Sequence, residues 1–233
     1  TGDAVTVLTR RPPAPGLFSA PVAHLPYDLS GAAPSLSGFD ALVHAGFSHV
    51  PGRYRGGEGD DPEGFLRANR DGTVRLFDAA ARSGVGRIVF LSSRAVYGAY
   101  PPGTDLTEAM PPRPDTLYGQ VKVGAEAALA NLSVGVSLRA TGVYGPAGPG
   151  QRHKWAGLFE AFLRGDRIEP RRGTEVHGAD LAAAVRVLLE TPLDRLGARV
   201  FNVSDILLDR HDLLAEVARL TGCRHPLPPR SDA

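Results

Sequence analysis

The chain has 233 residues, with 26 Lys and Arg against 25 Asp and Glu and a formal net charge of +1. That length suits one sizeable core. The near balance of charge argues against a surface built for nucleic acid or an anionic membrane, and no apolar run is long enough to span a bilayer. Cys223 is the only cysteine, which excludes an intrachain disulfide and a Cys-rich metal cage. The expectation is a protein without a metal site, in a reducing, cytoplasmic setting.

Short β-like runs alternate with helical stretches. AVTVL, alternating at Val5 and Val7, and PVAHLPY read as strands, and ALVHAG as a buried strand running into a glycine turn. PGRYRGGEGDDP then breaks the order as a polar, Gly-rich loop. Its Arg53 and Arg55 either grip an anionic substrate or are simply solvated. Apolar spacing predicts a helix over PEGFLRANRDGTVRLFDAAARSG, with Leu66, Val74, Leu76 and Phe77 facing the core and Gly84 near its end. RIVFLSS reads as a strong central strand. DTLYGQVKVGAEAALANL reads as a helix with Asp115 or Thr116 as N-cap. VGVSLRAT is the next strand, KWAGLFEAFLRG a Gly-stopped helix with Trp155 in the core, and ADLAAAVRVLLE a further helix. The strand ARVFNVSD and the helix RHDLLAEVARLTG follow. Alternation of this kind predicts an α/β fold, a parallel sheet with helices on both faces.

The sharpest chemical signal is YGQVK. Tyr118 and Lys122 are four apart, so on a helix they share one face, one turn apart. An ammonium beside a phenol favours the phenolate. A tyrosine so placed exchanges a proton with a substrate hydroxyl or carbonyl near neutral pH. The strand ending FLSSRAVYG precedes it, and the carboxyl end of a strand is where open α/β sheets bind ligands. Ser92 and Ser93 there either hold a substrate oxygen or tie up backbone at the strand end.

These motifs run in the order found in the extended short-chain dehydrogenase/reductases, and the chain resembles their NAD-dependent epimerase/dehydratase group along almost its whole length. DALVHAG resembles the family's strand ending in His-Leu-Ala-Ala, one residue shorter. NRDGTVRLFDAAARSGVGRIVFLSSRAVYG resembles its Asn-x-x-Gly-Thr helix and Ser-Ser strand. YGQVKVGAE resembles Tyr-Gly-x-Ser-Lys-x-x-x-Glu, with Val121 for the serine, and SLRATGVYGP resembles Arg-x-x-Asn-x-Tyr-Gly-Pro, with Gly142 for the asparagine. EVHGADLAAAV and VFNVSD resemble later segments. The resemblance implies a Rossmann-like doubly wound parallel sheet. Residues 1–145 would form the dinucleotide-binding core, and 146–233 a small, mainly substrate-binding part that returns a strand near 199–205 to the core.

In this family the first strand carries Gly-x-x-Gly-x-x-Gly, whose backbone and following helix hold the pyrophosphate. DAVTVLTR resembles the second strand. The first strand and helix are therefore expected to be absent from the chain as it stands, through truncation, and the chain alone to bind dinucleotide poorly. The alternative is a cofactor-free binding or regulatory remnant of the same fold.

The resemblance also assigns roles. Ser93, Tyr118 and Lys122 are the implied catalytic residues: Ser93 holds the substrate oxygen, Tyr118 is the acid/base, and Lys122 binds the nicotinamide ribose and lowers the tyrosine pKa. Arg10 and Arg11 stand where the family usually carries a ribose-binding Asp or Glu. A guanidinium suits a 2′-phosphate, so NADP(H) is expected over NAD(H), unless the two arginines are merely solvated. Asp28 and Leu29 resemble the adenine-contacting turn. His44, Ala45 and Gly46 would pass the cofactor's middle, and Asn69 matches a helix residue that touches the cofactor region. Ser93, Tyr118, Arg152 and Arg172 are expected to meet the small-molecule substrate. Arg152 and Arg172, with His153, Lys154 and Arg171, form either an anion-binding face or an ordinary basic one. His177 and Asp180 are expected to cap the helix that follows them. Arg94 and Ala95 stand where the family's dehydratases carry Asp-Glu, so water loss is not expected. The implied activity is that of an oxidoreductase or epimerase on a hydroxyl or ketone centre, with a sugar nucleotide as candidate substrate. The fold does not choose between the two. A homodimer through the helix carrying Tyr118 is implied by resemblance alone.

Overall fold

The computed structural model describes residues 2–50 and 57–232, so Arg53 and Arg55 lie outside the described residues. The chain divides into two units. The first is Thr1–Ala99, Leu106–Arg139 and Val185–Asn202; the second is Tyr100–Asp105, Ala140–Ala184 and Val203–Ala233.

In the first unit β1 (Thr6–Thr9) pairs parallel with β2 (Ala23–Pro26), and β3 (Ala41–His44) pairs parallel with β4 (Arg87–Ser93). With β5 (Gly135–Ala140) and β8 (Val200–Val203) the latter pair makes a four-stranded sheet of order β3-β4-β5-β8. Among the described residues no ladder joins β1 to β3, so each keeps an edge with unpaired backbone groups. β4 is buried along most of its length, as a continuous apolar run in a central parallel strand requires.

The helix predicted after residue 61 is built in three pieces: α1 (Pro62–Leu66), a π turn (Arg67–Asp71) and α2 (Gly72–Arg82). Asp61 starts it by accepting from the Gly64 amide at 2.8 Å. A side chain at Gly72 would run into the Leu29 carbonyl, so glycine is what lets α2 pass against the turn after β2. Leu76, Phe77 and Ala80 of α2 pack with Leu42, Ile88, Phe90, Ala125 and Leu129 in one core cluster. Each such large apolar side chain contributes roughly 1.5–3 kcal/mol on burial. Leu66 and Val74, expected in the core, are only half-buried, and Phe65 is buried instead.

α3 (Leu117–Ala130) begins at Thr116, whose Oγ1 accepts from the Gly119 amide at 3.1 Å. Thr116, rather than Asp115, is thus the cap. α3 packs against α2 and β4.

The second unit holds a sheet that the sequence did not predict. β6 (Gly142–Tyr144) lies parallel to β7 (Arg172–His177), which pairs antiparallel with β9 (Ile206–Asp209). These are runs of three to six residues of mixed polarity without a clean period of two, which is why they escape pattern reading. α4 (Ala156–Arg164) stops at Gly165, which takes the left-handed conformation at φ 84°. α5 (Gly178–Glu190) follows β7, and α6 (Arg210–Thr221) is capped by Asp209. Trp155, expected in the core, is half-buried and stacks on Tyr144 with ring centroids 5.4 Å apart.

Candidate active site

The site is built where α3 meets the carboxyl end of β4. The Lys122 Nζ donates to the Leu91 carbonyl at 2.7 Å, and the side chain is 4% exposed. Three aromatic faces surround it: Phe90 at 4.7 Å, Phe47 at 5.1 Å and Tyr118 at 5.5 Å from Nζ to ring centroid. Phe47 also meets the Tyr118 ring edge-on at 4.9 Å. Tyr118 and Lys122 therefore share one helical face, and that face lies against an apolar wall. Burial pushes the Lys122 amine down from 10.5 to about 7, while the Glu126 carboxylate pulls it back up. The ammonium expected beside the phenol is thus a group that titrates near neutrality, a refinement that only burial reveals.

Ser93 Oγ accepts from the Ala95 amide at 3.2 Å and caps the short 3-10 turn Arg94–Val96. As an acceptor there it keeps its own proton to donate. Ser92 instead donates to Glu126 at 2.5 Å. Glu126 takes both oxygens to Arg139, whose Nε and Nη2 lie at 3.0 and 2.7 Å. Arg139 Nη1 donates to the Tyr97 hydroxyl, and Tyr97 donates on to Asn202, both at 2.8 Å. This network was missed by sequence reasoning. Its signals were Glu126, four residues after Lys122 and on the same helical face, and Arg139, the arginine of SLRATGVYGP.

His44 is buried between Phe77 and Phe90, and its Nε2 lies 2.8 Å from Thr73 Oγ1. Burial, helped by the Lys122 charge, pushes its pKa down to about 3, so the ring is neutral and packs structurally. Gly46 lies against that ring, where a Cβ would come 3.3 Å from His44 Cε1. Ala45 follows the end of β3 and starts the loop between them. Asn69, placed by the π turn, accepts from Ser48 N at 2.6 Å and donates to Ser48 O at 2.7 Å and Phe65 O at 3.0 Å. Its side chain thereby pins the loop that carries Phe47.

At the carboxyl ends of β1 and β2, Arg10 Nε lies 4.0 Å from Asp28 Oδ2, an exposed pair. The Ser30 amide donates to Asp28 Oδ1 at 2.8 Å, and that hydrogen bond holds the Asp28 carboxyl below its ordinary pKa. Arg11 is exposed. Leu29 O accepts from Arg75 Nη2 at 2.9 Å. An open cavity of ≈ 800 Å³ lies beside this turn, lined among others by Ser30, Ser48, Phe65, Asn69 and Arg75.

In the second unit Arg152 is engaged by Glu160 at 2.5 Å and Lys154 by Glu175, while Arg172 is exposed on β7. His177 Nδ1 accepts from the Ala179 amide at 3.2 Å at the start of α5, a capping contact. Among the described residues no three His, Cys, Asp or Glu are grouped to hold a metal ion.

A Rossmann-like α/β fold, with Tyr118 and Lys122 one turn apart on a helix beside the Ser92–Ser93 strand end, defines an extended short-chain dehydrogenase/reductase. Residues 28–204 match the NAD dependent epimerase/dehydratase family, and the chain belongs to that family. It is 28% identical over 225 residues to UDP-glucose 4-epimerase of Corynebacterium glutamicum, covering 83% of this chain and 64% of that enzyme. It is 37% identical over 119 residues to dTDP-glucose 4,6-dehydratase of Streptomyces griseus, covering 50% of this chain and 34% of that enzyme. The chain thus spans less than two thirds of the length of either. Among solved structures, MoeE5 in complex with UDP-glucuronic acid and NAD superposes with a TM-score of 0.76 at 26% identity, covering 100% of this chain and 78% of that one.

Proposed function

We propose that the protein is an oxidoreductase or epimerase acting on a hydroxyl or ketone centre of a nucleotide sugar, with Tyr118, Lys122 and Ser93 at the reaction centre and a nicotinamide dinucleotide as cofactor. The observation that carries this is the Lys122 amine, buried, anchored to Leu91 O and facing the Tyr118 ring. A buried amine is costly, and such groups cluster at functional sites.

The donor set fits the cofactor's chemistry. The Tyr118 hydroxyl and the Lys122 amine suit a ribose, the Asp28–Leu29 turn an adenine, the backbone of His44, Ala45 and Gly46 with Asn69 the middle of the dinucleotide, and Arg10 and Arg11 a phosphate. When bound, the nicotinamide supplies or takes up the hydride. The chain's own residues manage the proton. Leu91 O fixes the Lys122 amine, and the charged amine favours the phenolate of Tyr118, which exchanges a proton with the substrate oxygen. Ser93 donates its hydroxyl proton to that same oxygen. Arg152 and Arg172 are proposed to bind an anionic substrate group.

Arg94 and Ala95 form the turn after Ser93, so no carboxylate stands at those two positions. This favours oxidation–reduction or epimerisation over water loss, despite the dehydratase among the relatives. The proposed preference for NADP(H) rests on Arg10 and Arg11. The Arg10–Asp28 pair works against it, because it offsets part of the charge that would read a 2′-phosphate. The test is incubation of the gene product with NAD or NADP and a panel of UDP- and dTDP-linked hexoses and uronic acids. Nicotinamide absorbance reads oxidation and proton NMR reads epimers. Conversion of a panel member is expected; a protein that binds the dinucleotide yet converts none refutes the reading.

A further inference from the structure

We propose that Glu126 and Arg139 are positioning residues for this reaction centre: their buried pair fixes the register of α3 against β4, and with it the placement of Tyr118 and Lys122 relative to Ser93. The inference rests on the reading of those three residues given above. Tyr118, Lys122 and Glu126 follow one another at intervals of four, so they stack along one face of α3. Lys122 hooks the Leu91 carbonyl and Glu126 hooks the Ser92 hydroxyl. These are consecutive residues of β4, and Ser93 comes next. A slip of α3 by one residue would turn that face by about 100° and break both hooks.

Arg139 closes the arrangement from β5. Its fork grips both Glu126 oxygens, its Nη1 holds Tyr97, and its guanidinium lies 4.9 Å from the Tyr97 ring. Asn202 then ties Tyr97 to the Leu106 carbonyl. One carboxylate is therefore bonded to two strands at once. Glu126, Arg139, Ser92 and Tyr97 are all buried. Stability alone does not account for the pair, because apolar groups of similar volume commonly replace buried ion pairs at no cost or with a gain. A fixed register does account for it: the planar fork accepts the carboxylate in few geometries.

The chain contains two lysines, Lys122 and Lys154. Isotope-labelled lysine therefore gives two ε-methylene NMR signals, which Lys154→Arg assigns. The rings around Lys122 shift its signal strongly, so the signal reports where the amine sits and does not depend on turnover. The double variant Glu126→Met with Arg139→Met is expected to fold, with a urea midpoint near that of the parent, while the Lys122 signal loses much of its ring shift or splits. Glu126→Asp keeps the charge, shortens the reach by one methylene, and is expected to show a smaller displacement in the same direction; it carries the test if the double variant does not fold. A folded variant whose Lys122 signal is unmoved overturns the proposal. Failure of the reaction-centre reading would appear elsewhere, as a Tyr118→Phe protein with undiminished turnover.

Discussion

Replacing Lys122 with methionine removes one buried amine, and the consequence can be worked out from its titration. In the folded protein the amine sits at about 7 against 10.5 in an open chain, chiefly through burial. At ~1.4 kcal/mol per unit the full difference is about 5 kcal/mol. Below pH 7 both states carry the proton, and the folded state bears the whole cost. Between 7 and 10.5 the unfolded chain holds a proton that the folded protein has released, so stability rises with pH. Above 10.5 both are neutral and the cost is gone. The parent protein should therefore gain about 2–3 kcal/mol between pH 7 and 9 relative to Lys122→Met. The substitution also leaves Leu91 O without its donor, a loss of about 1–3 kcal/mol that does not vary with pH and cancels in the comparison. Urea unfolding of both proteins at the two pH values reads the difference. Titration of the Lys122 ε signal reads the pKa directly. Parallel stability profiles, together with a Lys122 signal that titrates above pH 10, would mean that burial does not depress the Lys122 amine.

Three further outcomes are expected. His44 titrates at about 3 when folded and near 6.5 when unfolded, so on acidification the unfolded chain takes up a proton that the folded one refuses. Stability should fall by about 2 kcal/mol from pH 6.5 to 5, and His44→Gln should remove that part of the slope in urea melts. Gly98 has φ 66°, and a Cβ there would meet the Arg113 carbonyl. Gly98→Ala should cost about 1–3 kcal/mol in the same assay, and an unchanged midpoint would contradict the strain argument. In the gene product, including any sequence that precedes Thr1, replacing Arg10 and Arg11 with alanine should weaken NADP(H) binding about tenfold or more and spare NAD(H), as calorimetry would show; equal losses would mean that the arginines do not read the 2′-phosphate.

What could be read from the sequence was local and periodic. The Tyr118–Lys122 face, a start of α3 capped by Asp115 or Thr116, and Leu76 and Phe77 in the core all follow from spacing along a single element. Partners far apart in the chain were not legible. Arg139 stands 13 residues from Glu126, and Asn202 stands 105 from Tyr97, so nothing in either local pattern announces the pairing. The π turn at Arg67–Asp71 was hidden because the sequence there keeps a helical composition; the close approach of Gly72 to Leu29 is a tertiary constraint. Asn69, which the family resemblance puts at the cofactor region, also holds the backbone of Ser48, a contact that no local pattern announces. Phe47 gave no signal at all, since a single aromatic residue after a strand has no period, yet it lies against both Tyr118 and Lys122.

We propose that Tyr118 moves the proton at a nicotinamide-dependent reaction centre. The most direct test is the turnover of a converted nucleotide sugar by the gene product, including any sequence that precedes Thr1, and by its Tyr118→Phe variant, with cofactor affinity measured beside it. The substitution removes one hydroxyl and keeps the ring against Phe47, so the fold and cofactor affinity should be nearly unchanged. Turnover should fall roughly a hundredfold to ten-thousandfold, the usual contribution of a positioned acid–base group. A Tyr118→Phe protein that binds cofactor normally and turns over substrate at the parent rate would contradict the account.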